Sequence, residues 1–175
     1  MNELALQRAK AVRLMIFDVD GILTDGRLYF SGRGEELKAF NILDGHGLKM
    51  LRESGVELAI ISGRESRALE RRAKDLRIGQ LFMGVENKLS VFESLLSSLA
   101  LSPAQSAGLG DDVMDLPFLT RCGFAAAVPL APAYVQQRVH YVTTAHGGCG
   151  AVREFCDLIM QTQGTWDAAI KKYLD

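Results

Sequence analysis

Leu14-Met15-Ile16-Phe17-Asp18-Val19-Asp20-Gly21 is the stretch that decides the fold. Four consecutive apolar residues read as a short strand buried on both faces, the habit of strands in a parallel sheet. The strand runs straight into two carboxylates separated by one valine. Burying one carboxylate is costly, and burying two without a counter-charge is prohibitive. A hard cation resolves the conflict, and magnesium accepts carboxylate and carbonyl oxygens while keeping several waters. Gly21 then permits a tight turn and the close approach of another group.

Working outward, apolar runs recur at residues 12–17, 56–61, 80–85, 106–109, 123–128 and 140–142. Between them lie amphipathic stretches. Residues 66–77 place Leu69, Ala73 and Leu76 on one helical face, and residues 88–101 do the same with Leu89, Phe92, Leu96 and Leu99. Asp44 is positioned to cap a helix carrying Leu48 and Leu51, which Gly55 ends. Strand and helix in alternation predict an α/β fold with a doubly wound parallel sheet. Residues 27–41 break the rhythm: two short extended runs around Ser31-Gly32-Arg33-Gly34 read as a β-hairpin inserted after the first strand. Such an insertion projects over the ligand end of the sheet.

The chain has 175 residues, 48% of them hydrophobic, enough for one domain with a sizeable core and too few for two. We expect a single domain over 1–175, with its core at about 12–161 and a helical tail at 162–175. The formal net charge of −1 gives no electrostatic footprint for nucleic acid. No stretch is long enough to span a bilayer, and residues 1–13 carry no signal-peptide core. The three cysteines, Cys122, Cys149 and Cys156, match no zinc spacing. Reduced thiols and a cytoplasmic protein are the expectation.

Four strand ends carry polar groups. The first offers Asp18 and Asp20. The second ends in Ser62-Gly63-Arg64, where a hydroxyl, a glycine amide and a helix start make a phosphate cradle. The third is followed by Lys88, a point cation suited to phosphate. The fourth runs into Asp111-Asp112, with Asp115 beyond. Singly, each has a plain explanation: a surface turn, a helix cap, a solvated lysine. In an open parallel sheet, however, these ends converge on one crevice. A metal-bound carboxylate attacks phosphorus to give an aspartyl phosphate, the role read for Asp18. Asp20, two residues on, can protonate the leaving oxygen and later deprotonate water.

Taken in order, these motifs resemble the four motifs of the haloacid dehalogenase superfamily of phosphotransferases, with no room between them for a large cap domain. Residues 34–41, Asp44-Gly45-His46-Gly47, Gly147-Gly148 and residues 150–154 further resemble the 3-deoxy-D-manno-octulosonate 8-phosphate (KDO 8-phosphate) phosphatases. The resemblance implies magnesium-dependent hydrolysis of KDO 8-phosphate, a step in lipopolysaccharide sugar synthesis. It implies Asp18 and Asp111 as side-chain metal ligands and Asp20 as a ligand through its backbone carbonyl. It places Arg64 at the carboxylate end of the sugar acid. It also implies a homotetramer whose hairpins meet and whose subunits help close each site. One departure stands out: the family reads Gly-Gly-Arg-Gly where this chain has Cys149 in place of the arginine, and Arg153 is a candidate to compensate.

Other residues carry weaker signals. Thr24 and His46 are candidate substrate contacts, although Thr24 and Asp25 read equally well as turn residues that fix the nucleophile loop. Asp112 and Asp115 are candidate supports for the metal shell. His140 reads as a packed strand-end residue, and Trp166 and Tyr173 as parts of a tail that packs on the body. Three other readings compete. One is a phosphatase of a different sugar acid, such as a sialic acid 9-phosphate. Another is a non-catalytic oligomerisation module of the same fold. The last is a receiver-type domain, which places its acidic groups on different strands.

Overall fold

The computed structural model describes residues 3–174. Its chain runs α1 (Glu3–Lys10), β1 (Leu14–Phe17), β2 (Tyr29–Ser31), β3 (Gly34–Leu37), α2 (Ile42–Glu53), β4 (Glu57–Ile61), α3 (Arg67–Asp75), β5 (Gln80–Phe82) and α4 (Lys88–Ser98). After a short 3-10 turn come β6 (Ser106–Leu109), α5 (Leu116–Leu119), β7 (Phe124–Ala127), α6 (Ala133–Gln136), β8 (Tyr141–Val142), α7 (Ala151–Gln163) and α8 (Trp166–Lys171). Asp175, the last residue of the expected tail, and Met1 and Asn2 lie outside the described residues.

Six strands form one parallel sheet in the order β5-β4-β1-β6-β7-β8. The apolar run that opened the reading is the innermost part of it: every residue of β1 is buried. Phe17 sits opposite Ile60 on one side and Leu109 on the other. That register brings the residues after β1, β4 and β6 out at one edge. The flanking helices fall into two groups, α1 and α2 packed on α7, and α4 on α5. Strands β2 and β3 pair antiparallel as a separate two-stranded sheet. Among the described residues there is no large cap, and no helix is long and apolar enough to cross a membrane.

Two details differ from the sequence reading. Helix α2 is capped by Asn41, whose side chain accepts from the amides of Leu43 (2.7 Å) and Asp44 (3.3 Å). Asp44 is buried instead, and its carboxylate accepts from the amides of Arg153 (2.8 Å) and Gly150 (3.3 Å) at the start of α7. It therefore caps a helix more than a hundred residues away. Burial raises its pKa, and these amides oppose the rise. Helix α1, unmarked in the sequence, forms because Ala5 and Ala9 give it a small apolar face that buries against α7.

The glycine-rich turn before α7 packs on the loop after β1. The Gly148 amide donates to the Ile22 carbonyl (2.9 Å), and Asn41 reaches the Gly148 carbonyl (3.2 Å). A Cβ on Gly147 would lie 1.6 Å from the Gly21 carbonyl oxygen, which is backbone and cannot swing aside. We expect Gly147→Ala to cost about 1–3 kcal/mol, as overpacking does. It should also cut turnover, because the displaced loop carries Asp20. Urea melts alongside phosphate-release assays check both, and unchanged values in both would contradict this packing.

Candidate active site

Asp18 follows β1, and its backbone amide is tied to Leu109 by a 3.0 Å hydrogen bond. Lys88, the first residue of α4, is buried. Its ammonium donates to Asp18 Oδ1 (2.5 Å) and to Asp115 Oδ1 (2.6 Å). Burial alone would push Lys88 down, but Asp18 and Asp115 outweigh it and hold its pKa above the usual lysine value. The other Asp115 oxygen accepts from the amides of Asp111 (3.0 Å) and Asp112 (3.2 Å). Asp115 thus fixes both the lysine and the loop after β6. Gly21 has φ +91°, and a Cβ there would lie 2.0 Å from Asp111 Oδ2. The glycine makes room for a neighbouring carboxylate.

The walls of this site enclose a cavity of about 250 Å³ lined by Asp18, Asp20, Ser62, Gly63, Arg64, Lys88, Asp111, Asp112, Met114 and Asp115. Nine of these ten are residues the sequence marked as candidates; Met114 is the addition. Ser62 is buried at the end of β4, and its hydroxyl accepts from the Arg64 amide (3.2 Å). The following helix begins at Arg67 with Ser66 as its cap, so the turn at Ser62 is separate from the helix start. Asp112 is exposed and caps its own turn through the Val113 amide (2.7 Å).

Thr24 and His46 do not line the cavity. The Thr24 hydroxyl lies within hydrogen-bonding reach of the amides of Gly21 (3.4 Å) and Gly26 (3.2 Å), bracing the loop from below. His46 faces the C-terminal segment, with its Nε2 2.9 Å from the Tyr173 hydroxyl. Trp166 lies under Arg153 in the same docked segment. Arg153 also binds Asp157 through its Nε (2.7 and 2.8 Å), so its guanidinium is engaged away from the cavity and does not replace the family arginine. Cys149 is exposed on the turn, Cys122 and Cys156 are buried, and burial pushes the Cys122 thiol up to about 12. His140 accepts the Ala125 amide (2.9 Å) at the sheet edge.

The donor set fits a hard divalent cation. Carboxylate oxygens of Asp18, Asp111 and Asp115 all lie within 4.8 Å of one another. Burial, with Asp115 next, pushes Asp18 up to about 6 against the pull of Lys88. Burial and then Asp18, Asp115 and Asp112 push Asp111 up to about 8. One ammonium cannot neutralise three carboxylates, and a bound dication inverts this imbalance. Both Asp115 oxygens already accept hydrogen bonds, whereas Asp18 is bonded to Lys88 through Oδ1 alone.

No protein-family model matches the chain. The 3-deoxy-D-manno-octulosonate 8-phosphate phosphatase KdsC of Yersinia pestis is 44% identical over 164 residues, spanning 94% of this chain and 88% of that protein. This chain belongs to the KDO 8-phosphate phosphatases. The family sits within the haloacid dehalogenase superfamily. A probable YrbI family phosphatase from Pseudomonas syringae pv. phaseolica 1448a superposes with TM-score 0.97 at 52% identity, covering 99% of both chains. The KDO 8-phosphate phosphatase of Moraxella catarrhalis, solved with magnesium, phosphate and KDO, superposes with TM-score 0.95 at 42% identity, again over 99% of both chains.

Proposed function

We propose that this KDO 8-phosphate phosphatase hydrolyses KDO 8-phosphate to KDO and phosphate, with Asp18 as nucleophile. One observation carries the reading: Asp18 lines a cavity of about 250 Å³ with Lys88 bonded to it and Asp20 lining the same space. Asp18 and Asp111 would hold Mg²⁺, with the Asp20 carbonyl as a further ligand. Bound there, the ion supplies charge stabilisation for the transferring phosphoryl oxygens. The chain's own groups do the rest. The Asp18 carboxylate attacks phosphorus as the bond to the leaving alkoxide breaks, and Asp20 protonates that oxygen. Asp20, now a carboxylate, takes a proton from water as the water oxygen attacks the phosphorus of the aspartyl phosphate. Inorganic phosphate leaves and Asp18 is restored. Lys88, the Ser62 hydroxyl and the Gly63 amide would bind the equatorial oxygens, a reading supported by their lining the same cavity.

Arg64, on the cavity rim, offers a guanidinium fork for the sugar-acid carboxylate. We assign a homotetramer through the hairpin, supported by the exposed side chains of Leu28, Tyr29, Phe30 and Leu37. Cytoplasmic residence is supported by three unpaired thiols. The test is phosphate release from a panel of phosphorylated sugar acids with Mg²⁺. The highest kcat/KM is expected for KDO 8-phosphate, and no release from any octulosonate or nonulosonate phosphate would end the reading.

Removing the metal should abolish release, and adding Mg²⁺ back should restore it. The ion should also raise the melting temperature without substrate, since a ligand at a hundred times its Kd stabilises by about 2.7 kcal/mol. Asp111→Asn should lose most of that thermal shift. A shift of full size in that variant would place the metal elsewhere.

A further inference from the structure

The hairpin brings to the site a residue that lies outside the four strand-end motifs. Lys38 directly follows β3, in a segment where Leu37 is 67% exposed. Its own side chain is only 1% exposed, and its ammonium donates to Asp20 Oδ1 at 2.6 Å. The second Asp20 oxygen, Oδ2, lies on the other side, 3.9 Å from Arg64 Nε. The Arg64 guanidinium in turn stands 5.8 Å from the ring of Phe30 on β2. The hairpin therefore reaches the cavity wall twice, through Lys38 at Asp20 and through Phe30 beside Arg64.

We infer that Lys38 is a positioning residue for proton transfer: it fixes which oxygen of Asp20 carries the proton and where that oxygen points. An ammonium only donates hydrogen bonds. The oxygen held by Lys38 must therefore remain an acceptor, which leaves Oδ2 to carry any proton. Oδ2 is the oxygen on the Arg64 side, and Arg64 lines the cavity. An untethered aspartate turns about two side-chain bonds and shares its proton between equivalent oxygens. A tethered one presents it in a single direction, and orientation of this kind is a large part of catalysis. The hairpin is then part of the proton-transfer apparatus as well as an exposed arm. This inference rests on Asp20 being the acid and base of the reaction.

Substrates whose leaving groups differ separate the possibilities. An alkoxide leaves poorly without a proton, whereas p-nitrophenolate leaves unaided. kcat/KM reports only steps up to departure of that group. Lys38→Met and Asp20→Asn are compared with wild type on KDO 8-phosphate, on a carboxylate-free sugar phosphate and on p-nitrophenyl phosphate. For Lys38→Met we expect kcat/KM to fall about 10²-fold on both sugar phosphates and less than about fivefold on p-nitrophenyl phosphate. Lys38→Arg, which keeps a donor-only cation, should recover most of the loss. Equal losses on all three esters would mean phosphate binding or a damaged fold, and would overturn the inference. Loss confined to KDO 8-phosphate would make Lys38 a carboxylate contact, and no loss would make it a surface anchor; both overturn it. If Asp20→Asn shows the leaving-group pattern and Lys38→Met does not, the inference alone fails. If Asp20→Asn lacks the pattern, the acid–base assignment itself is wrong.

Discussion

Asp18→Asn should abolish phosphate release from every ester, by at least about 10⁴-fold, because an amide in the place of the proposed nucleophile cannot form the acyl phosphate. The amide keeps the shape of the side chain and can still accept from Lys88, so the fold should survive. Its effect on stability has a definite sign. Burial, followed by Asp115, raises Asp18 to about 6 in the absence of metal. An acid with a raised folded-state pKa favours the native state when protonated and opposes it when ionised. Metal-free Asp18→Asn should therefore be at least as stable as wild type above pH 6, with the advantage fading as pH falls toward 4. With Mg²⁺ the order reverses, because the variant has lost a ligand. Urea melts at several pH values, with and without Mg²⁺, read all of this. Appreciable turnover by the variant would remove Asp18 from the chemistry.

Lys88→Met should be the most damaging single change to the metal-free protein. Lys88 is bonded to both Asp18 and Asp115, and all three are buried. Removing one member of a buried ion cluster typically costs about 3–5 kcal/mol, since the remaining charges stay buried without compensation. Lys88 is held above its ordinary pKa, so its contribution is present throughout the neutral range and is lost as pH rises from the ordinary lysine value through the raised one. Mg²⁺ should restore part of the stability by pairing with Asp18 and Asp111. It should not restore turnover, which we expect to stay about 10²–10³-fold down for want of a donor to the phosphoryl oxygens. A metal-free variant as stable as wild type would show that the cluster is solvated and that the burial argument fails.

Much of this was legible in the sequence for a physical reason. Apolar runs of four or five residues that end abruptly in Asp, Ser or Asp leave few options, and all of β1, β4 and β6 ended where the polar residues begin. The hidden parts depended on distant partners. Asp44 looked like a local helix cap, yet its burial is decided by amides at 150 and 153. Lys38 sits in the second extended run of the hairpin, and nothing local points it at Asp20; the structure leaves Leu37 exposed while the Lys38 ammonium reaches that carboxylate. Arg153 looked free to replace the missing family arginine, but Asp157, one helical turn on, takes it first. The order of the six strands has no local signal at all, since it follows from crossover connections.

The strand order also divides the labour of the molecule. Asp18, the Ser62 turn and the acidic loop at Asp111 leave from three adjacent strands, β1 between β4 and β6, which are among the most deeply buried in the sheet. Arg64, the residue proposed to meet the organic portion of a substrate, lines the rim, and the hairpin pairs as a sheet of its own outside the six strands. Descendants of such a chain can drift toward new sugars by editing the rim while the bond-breaking machinery is inherited untouched. The tether from Lys38 to Asp20 is a seam between the two halves, a place where a change made for taste would be felt in speed.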